Sequence, residues 1–300
     1  MRLAGAVDIG GTTVKIGIVA EDGSIVTKLE IPTSPGGEPR QLVDDIVSAL
    51  RPLIDRQVAE GGSVPAVGVA VAGFLDDARG SMIENANLTA LCGFPLRDAL
   101  AKRLGLDCTL EVDSNAAVVA EYRFGAGQSA ERLLGVTVGT GLGGGVVIDG
   151  NLLRYTGQCA GDLGHIIVAP EGRACTCGSR GCLEAMVCAA ALSERAGNRP
   201  AREILDRARD GERASLDALA ETGWWLGLGL AALSPIFSPR TIVVGGGVGT
   251  AGDLLLAPTR ASYRGHAASG VADRVRIVGS ALGGWSGMVG AGSLALDPMR

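Results

Sequence analysis

The sequence predicts an α/β protein of two domains with related cores. Apolar segments of strand length alternate with longer segments of helical spacing, which is typical of parallel sheets covered by helices. Residues 7–20 and 136–150 each read as a strand, a glycine turn with a threonine, and a second strand. A chain of 300 residues is long enough for two domains of ordinary size. We therefore expect a duplicated core fold rather than a short repeat.

The individual elements follow from apolar periodicity and from the glycine and proline residues between them. In the segment 41–58, for example, Leu42, Ile46, Leu50 and Ile54 recur on one side of a helix. Predicted strands are 3–9, 14–20, 25–31, 64–72, 108–112, 133–138, 146–148, 241–244 and 274–278. Predicted helices are 41–58, 96–104, 115–124, 183–196, 203–209, 215–233, 253–263 and 286–296. A change of domain is expected near residue 113.

The composition excludes several classes of protein. A net charge of −5 argues against a nucleic-acid or anionic-membrane partner. The chain has no apolar run of the roughly 18–20 residues that a membrane span needs, and its start shows no leader pattern. We therefore expect a cytoplasmic protein. Seven cysteines, an odd number, favour metal binding or free thiols over disulfides in a reducing compartment.

The first glycine turn follows the first apolar strand. Backbone N–H groups of a turn without side chains can approach phosphates closely, and hydroxyl groups add donors. Asp8, at the end of a strand, is placed to hold Mg²⁺ through water. The spacing fits neither a Walker A loop nor a Rossmann fingerprint, and a plain β-hairpin turn remains the alternative. The candidate nucleotide-binding residues here are Asp8, Gly10, Gly11, Thr12, Thr13 and Lys15.

Two further glycine loops follow later apolar strands, at 139–145 and 245–249. The first repeats the phosphate-loop pattern, and the second would let an adenosine lie against the backbone. Glycines are numerous, 47 in all, and cluster beside apolar runs where turns or ligand loops need them. Three such loops are difficult to assign to chance. The candidate nucleotide-binding residues in these loops are Gly139, Thr140, Gly141, Gly143, Gly245, Gly246, Gly247 and Val248.

Asp113 is the candidate catalytic residue. Phosphoryl transfer to an alcohol needs a group that accepts the hydroxyl proton and orients the oxygen, and a carboxylate at the end of a strand can do this. Taken alone, Asp113 is equally compatible with a helix N-cap. The glycine loops favour the catalytic interpretation.

The segment 175–182 holds three cysteines, and a histidine lies ten residues upstream of it. A set of three thiolates and one imidazole suits a closed, structural Zn²⁺ site, with buried free cysteines as the alternative. The candidate zinc ligands are His165, Cys175, Cys177 and Cys182. The remaining cysteines, Cys92, Cys108, Cys159 and Cys188, are interpreted as core residues, and His266 as structural.

Taken together, these motifs resemble the ROK family of sugar kinases and repressors over nearly the whole chain. The family's phosphate motif is similar to 8–15, its Gly-x-x-Asp stretch to 73–76, and its glycine loop to 139–145. Its catalytic aspartate corresponds to Asp113 and its zinc ligands to the four residues named above. Its sugar-contacting residues correspond to Gly73, Asn87, Asp113, Asp162, His165 and Glu184.

The resemblance implies a two-domain, actin-like (ribonuclease H-like) sugar kinase fold that binds its ligands in the interdomain cleft. The expected domains are 1–113, with the helix 286–300 packing back on it, and a larger domain 114–285 that carries the zinc loop. The implied activity is ATP-dependent phosphorylation of a hexose hydroxyl, with Mg²⁺ and a structural Zn²⁺. His165 would bind Zn²⁺ through one ring nitrogen. Family members are usually dimers or tetramers.

Two positions depart from the glucokinase pattern. Val112 stands where asparagine usually precedes the catalytic aspartate, and Asp162 replaces a glutamate. Losing a buried hydrogen bond to the substrate costs about 1–3 kcal/mol, which can change substrate preference. Glucose, fructose, an amino sugar and a C7-cyclitol therefore all remain candidate acceptors. Polyphosphate is an alternative phosphoryl donor, and a non-catalytic sugar-sensing regulator is the alternative function.

Overall fold

The computed structural model describes residues 1–33, 36–84, 88–154 and 162–299. The chain folds as two compact units. The first comprises Met1–Phe124, Gly150–Ala160 and Trp285–Arg300, and the second comprises Gly125–Asp149 and Gly161–Gly284. Asn87 and Cys159, which the sequence singled out, lie outside the described residues.

The order of strands and helices confirms the predicted α/β class. The strands are β1 Arg2–Ile9, β2 Thr13–Ala20, β3 Ile25–Pro32, β4 Ser63–Val71, β5 Phe74–Leu75, β6 Met82–Glu84, β7 Asp107–Val112, β8 Arg132–Val138, β9 Leu142–Ile148, β10 Asn151–Leu152, β11 Thr241–Gly245 and β12 Arg276–Gly279. The helices are α1 Pro39–Ala59, α2 Leu96–Leu104, α3 Asp113–Phe124, α4 Leu183–Val187, α5 Ala189–Arg195, α6 Ala201–Arg209, α7 Arg213–Phe237, α8 Gly246–Gly249, α9 Asp253–His266, α10 Ser269–Ala272 and α11 Ser286–Leu296. Short 3₁₀ turns lie at Thr89–Leu91, Leu163–His165 and Gly283–Trp285.

The sheet of the first unit has the strand order β3-β2-β1-β4-β7. β1 pairs antiparallel with β2 and parallel with β4, and β4 pairs parallel with β7. The carboxyl ends of β1, β4 and β7 therefore meet at one edge. Helix α1 buries one apolar face, which includes Ile46 and Leu50, in the core of this unit.

Helix α11 returns to the first unit and packs closely on its strands and on α3. A methyl group at Gly68 in β4 would collide with the Ala291 carbonyl, and one at Gly290 would collide with the Ala116 carbonyl. These glycines permit close packing of backbones, so the expectation that glycines beside apolar runs mark turns or ligand loops is wrong for them.

The second unit repeats the arrangement of the first. Four strands lie in the order β9-β8-β11-β12, with β8 and β9 antiparallel and β8, β11 and β12 parallel. In each unit an antiparallel pair is thus extended by two parallel strands, as the duplicated sequence motif predicted. No helix in the described part of the chain combines the length and apolarity that crossing a bilayer requires.

Several boundaries differ from the sequence predictions. Gly143–Gly145 belong to β9, because their extended backbone pairs with Gly135–Thr137 of β8, so only the first residues of the predicted loop form a turn. The second predicted loop is mostly the short helix α8. The predicted helix 183–196 is divided at Cys188, whose backbone is extended with φ −65° and ψ 167°.

Candidate functional site

Two carboxylates lie at the carboxyl edge of the first sheet. Asp8 is the last residue but one of β1, and Asp113 directly follows β7. Burial and the negative charge of Asp113 both raise the pKa of Asp8 and Lys15 lowers it, and together these effects bring it to about 7. Burial also raises the pKa of Asp113. The two carboxyl groups therefore form an acid pair whose negative charges repel each other near neutral pH.

Lys15 places a positive charge beside Asp8. It lies opposite Asp8 in the β1–β2 register, and its Nζ is 3.9 Å from Asp8 Oδ2. The Nζ atoms of Lys15 and Lys28 also lie 5.8 and 4.4 Å from the ring centroid of Trp285. At Gly287, a methyl group would lie 2.7 Å from Asp8 Oδ2, so glycine there lets the start of α11 approach the carboxylate.

The glycine turn between β1 and β2 is fixed by a residue that the sequence analysis did not select. The Gly10 amide donates to the Thr13 carbonyl at 3.1 Å. Thr33 donates from Oγ1 to the Gly10 carbonyl at 2.8 Å and from its amide to the Thr12 carbonyl at 2.9 Å. Thr33 lies twenty residues away, so only the pairing of β2 with β3 brings it here. The turn is thus preorganised, as a phosphate-binding loop requires.

Helix α3 begins at Asp113, two residues earlier than predicted. Asp113 Oδ1 accepts the Ser114 amide at 2.7 Å, and a carboxylate in the first helical turn is favoured by the helix dipole. Asp113 is therefore the first residue of the helix and not an N-cap, whose side chain would accept an amide two or three residues ahead. Gly73, the predicted sugar-binding glycine, has φ +106° between β4 and β5, which favours glycine at that position.

Glu111 is the principal residue in this unit that the sequence analysis missed. It is 4% exposed and accepts hydrogen bonds from the Val112 amide, Asn115, Arg154 and Arg79. Charged residues are seldom buried without partners. A glutamate inside an apolar strand was therefore a signal for such a cluster.

The glycine turns of the second unit meet at the carboxyl edge of its sheet. Gly139 follows β8 and Gly245 ends the neighbouring parallel strand β11. A methyl group on Gly139 would lie 4.0 Å from the Gly247 amide nitrogen, so the two turns are adjacent. Gly246 has φ +81°, and a methyl group there would collide with Val138. This glycine edge allows a phosphate group to approach the backbone closely.

Three other predicted nucleotide-binding residues lie in different parts of the second unit. Thr140 is exposed beside Gly141 in the turn. Gly143 lies in β9, and Val248 is buried in α8 with 1% exposure. The side chain of Val248 therefore faces the core.

A polar cluster of the second unit joins three of the predicted sugar-binding residues. Glu184, in the first turn of α4, accepts the Leu142 amide at 2.8 Å through Oε2. Its Oε1 lies 3.5 Å from His165 Nε2, and His165 Nδ1 is hydrogen-bonded to Asp162 Oδ2. At Gly141, a methyl group would lie 2.5 Å from Glu184 Oε2. Long-range folding therefore places Glu184 directly beneath the glycine turn.

The predicted zinc ligands also come together in the second unit. One ligand atom each of His165, Cys175 and Cys177 lie within 4.8 Å of one another. Cys182, which is fully buried, places its Sγ 3.6 Å from that of Cys177. His165 Nε2 is buried and has no hydrogen-bond partner in the described part of the chain. Three sulfurs and an unsatisfied imidazole nitrogen match the donor set of a structural Zn²⁺ site.

The other described cysteines differ in burial, and His266 has a hydrogen-bond partner. Cys188 is buried, Cys108 is half-buried, and Cys92 is exposed, so the assignment of Cys92 to the core is wrong. Cys92 ends a short 3₁₀ turn at the surface. His266 Nδ1 hydrogen-bonds to the Ser262 carbonyl at 2.7 Å, in accord with a structural role.

Comparison with known proteins identifies the family. The model of the ROK family matches residues 4–298. Glucokinase of Streptomyces coelicolor is 35% identical over 324 aligned residues, covering 99% of both chains. An N-acetylmannosamine kinase of Escherichia coli O139:H28 is 34% identical over 251 residues, covering 82% of this chain and 83% of the relative.

A solved structure is similar over the same extent. It is a ROK family glucokinase from Streptomyces griseus in complex with glucose and AMPPNP, 36% identical, with a TM-score of 0.87 and coverage of 98% of this chain and 99% of that one. The predicted actin-like sugar kinase fold is thereby confirmed. Because the family model and these relatives extend over nearly all of its length, the chain belongs to the ROK family.

Proposed function

We propose that this protein is an ATP-dependent kinase that phosphorylates a hydroxyl group of a hexose, at the 6-position or its equivalent. The observation that carries the proposal is the acid pair Asp8 and Asp113 at one sheet edge beside a preorganised glycine turn. Full-length similarity to glucokinases, one of them bound to glucose and AMPPNP, supports it. The test is hexose-dependent release of ADP from ATP by the purified protein; no ADP release with any hexose would refute it.

The chain's own residues account for the steps of such a reaction. Asp113 accepts the proton of the attacking hydroxyl, because burial gives its carboxyl a raised pKa and hence greater basicity. The glycine turns and Lys15 hold the phosphates in position, and most of the rate enhancement then comes from positioning and charge stabilisation. Mg²⁺ bound with ATP would supply additional positive charge at the phosphates. Asp8, which lies beside Asp113, fits such a role because a cation would relieve the repulsion within the acid pair.

The acceptor is proposed to be a hexose or hexose-like compound, with glucose, fructose, an amino sugar and a C7-cyclitol as the candidates. The proposed hexose contacts are Gly73, Asn87, Asp113, Asp162, His165 and Glu184. Val112 is half-buried at the end of β7, immediately before Asp113. Valine cannot hydrogen-bond to a hydroxyl group, whereas the asparagine usual in glucokinases can. This single position is therefore proposed to shift preference away from glucose.

Replacing Val112 with asparagine is expected to raise kcat/KM for glucose relative to the best native acceptor by about 5–150-fold. This range corresponds to one recovered hydrogen bond of about 1–3 kcal/mol. The measurement is competition between the two acceptors in a single ADP-release assay. The matched control is Thr109→Asn, a half-buried position of the same strand, which should leave the ratio unchanged. An unchanged ratio in the Val112 variant would place this side chain outside the acceptor pocket.

We further propose that His165, Cys175, Cys177 and Cys182 bind one structural Zn²⁺. The convergence of three sulfurs and the unsatisfied His165 Nε2 supports this assignment. A closed set of four ligands leaves no position for a reactive water, so the metal would stabilise the segment that carries His165. His165 belongs both to this set and, through the bond of its Nδ1 to Asp162, to the polar cluster, so loss of the metal would also disturb that cluster.

The Cys177→Ser variant is expected to lose most of its zinc and to melt at a lower temperature than the wild type. Cys177 is exposed, so the substitution itself removes little packing. Zinc content per chain by elemental analysis and thermal unfolding are the measurements. Cys92→Ser, at another exposed cysteine, should retain full zinc content. Wild-type protein free of zinc after purification in zinc-containing medium would contradict the assignment.

A further inference from the structure

Glu111 receives donors from four different positions of the first unit. Its Oε1 accepts the Val112 amide at 2.9 Å and Asn115 Nδ2 at 3.0 Å. Its Oε2 accepts Arg154 Nε at 3.0 Å, and Arg79 Nη2 forms an ion pair with Oε1. The glutamate side chain is only 5% exposed, whereas those of Arg79 and Arg154 are 26% and 24% exposed. We refer to Glu111, Arg79, Arg154 and Asn115 as the Glu111 cluster.

On one side, the cluster fixes the backbone around the proposed base. Val112 and Asn115 flank Asp113, on the last residue of β7 and in the first turn of α3. Both donate to Glu111 Oε1, so the end of β7 and the start of α3 are hydrogen-bonded to the same buried carboxylate. The direction in which the Asp113 carboxylate points depends on this junction.

On the other side, Arg79 connects the cluster to the hairpin of β5 and β6. Arg79 lies in the connecting turn with φ +51°, a left-handed conformation that is uncommon for residues other than glycine. The Asp76 carboxylate closes the turn by accepting the Gly80 amide at 2.7 Å and Ser81 Oγ at 2.9 Å. This hairpin directly follows Gly73, one of the proposed hexose contacts.

We propose that Glu111 is a positioning residue that fixes the Asp113 junction and the β5–β6 hairpin against one another. This inference rests on the proposed hexose kinase function and names the residue that holds the proton acceptor and the hairpin at a fixed separation. A proton acceptor and a substrate-binding segment must keep their separation closely, because a displacement of about 1 Å can cost about 10²-fold in rate. A buried carboxylate with four donors provides that rigidity, because moving either segment would break hydrogen bonds to a charged group that water replaces poorly.

The test removes the ion pair between Arg79 and Glu111 and leaves the other donors to Glu111 in place. In the Arg79→Met variant, Glu111 keeps Val112, Asn115 and Arg154, so the fold should survive. We expect KM for the hexose to rise and kcat to fall, each by about tenfold, with KM for ATP unchanged. Arg79→Lys keeps a positive charge and should recover part of the loss.

The matched control is Arg97→Met. Arg97 Nη1 donates to the Ala78 carbonyl of the same turn at 2.8 Å but reaches it from α2, outside the Glu111 cluster. It should leave all three kinetic constants close to those of the wild type. Equal effects of the two substitutions, or a parallel loss for ATP and hexose in Arg79→Met, would overturn the inference.

Hydrogen exchange separates failure of this inference from failure of the proposed function. If the wild type phosphorylates no hexose, the proposed function fails, whatever the cluster does. Independently, Arg79→Met should accelerate amide exchange in both the hairpin and the first turn of α3, relative to Arg97→Met. Faster exchange confined to the hairpin would show that the two segments are not coupled and would overturn the inference.

Discussion

The Asp113→Asn variant is expected to phosphorylate hexoses with a kcat about 10²–10⁴-fold below that of the wild type. This is the range typical of a lost general base. An asparagine amide cannot accept the hydroxyl proton, but its oxygen can still accept the Ser114 amide that Asp113 accepts at 2.7 Å. The start of α3 should therefore be preserved. Rates of ADP release at saturating ATP and hexose measure the effect, and calorimetry should show hexose binding largely unchanged.

Asp98→Asn provides a matched control for this substitution. Asp98 also lies in the first turn of a helix of the same unit, α2, and its side chain is 66% exposed. The control removes a carboxylate from a helix start without touching the acid pair, so its kcat should equal that of the wild type. Near-normal turnover of Asp113→Asn would exclude Asp113 as the base. A similar loss in both variants would trace the effect to helix stability.

The polar residues at the strand ends were predictable from sequence because the signal is local. Asp8 lies near the end of one apolar strand and Asp113 directly follows another, and the parallel order of β1, β4 and β7 then brings them to one edge. The helix α11 was predicted with its correct bounds, since residues 286–296 are apolar and end at Asp297. The convergence of Cys175, Cys177 and Cys182 was also predictable, because the three cysteines lie within eight residues.

Contacts between distant segments were not predictable from periodicity. Arg79, Glu111 and Arg154 are separated by more than thirty residues from one to the next, and no spacing rule relates them. Glycine is a poor marker of ligand loops for a related reason, because it occurs both in loops and where backbones pack closely. Gly144 was assigned to a phosphate loop, yet it pairs with Val136 in the β8–β9 ladder, and a methyl group there would lie 2.7 Å from Leu163 Cδ1, so it lies in a packed strand.

Asp8→Asn is expected to stabilise the protein above neutral pH while lowering its kinase activity. Burial raises the pKa of Asp8 from its ordinary value of 3.8 to about 7. The folded state therefore binds the proton more tightly than the unfolded state, and the associated stability is complete below pH 3.8 and lost as pH rises through about 7. Each pKa unit corresponds to about 1.4 kcal/mol, so the ionised carboxylate costs up to about 4 kcal/mol at pH 8.

An asparagine carries no charge at any pH and avoids this cost. The free energy of unfolding of Asp8→Asn, relative to the wild type, should therefore increase from pH 4 to pH 7 and remain constant above it. Urea unfolding without nucleotide or Mg²⁺ measures the difference, with Asp55→Asn, at an exposed position of α1, as a pH-independent control. Activity should fall because the variant loses the charge that faces Asp113 and Lys15. A carboxylate that lowers stability when ionised, yet is needed for turnover, has the properties expected of a functional residue. Equal stability of variant and wild type at pH 8 would show that burial of the ionised Asp8 carboxylate carries no cost.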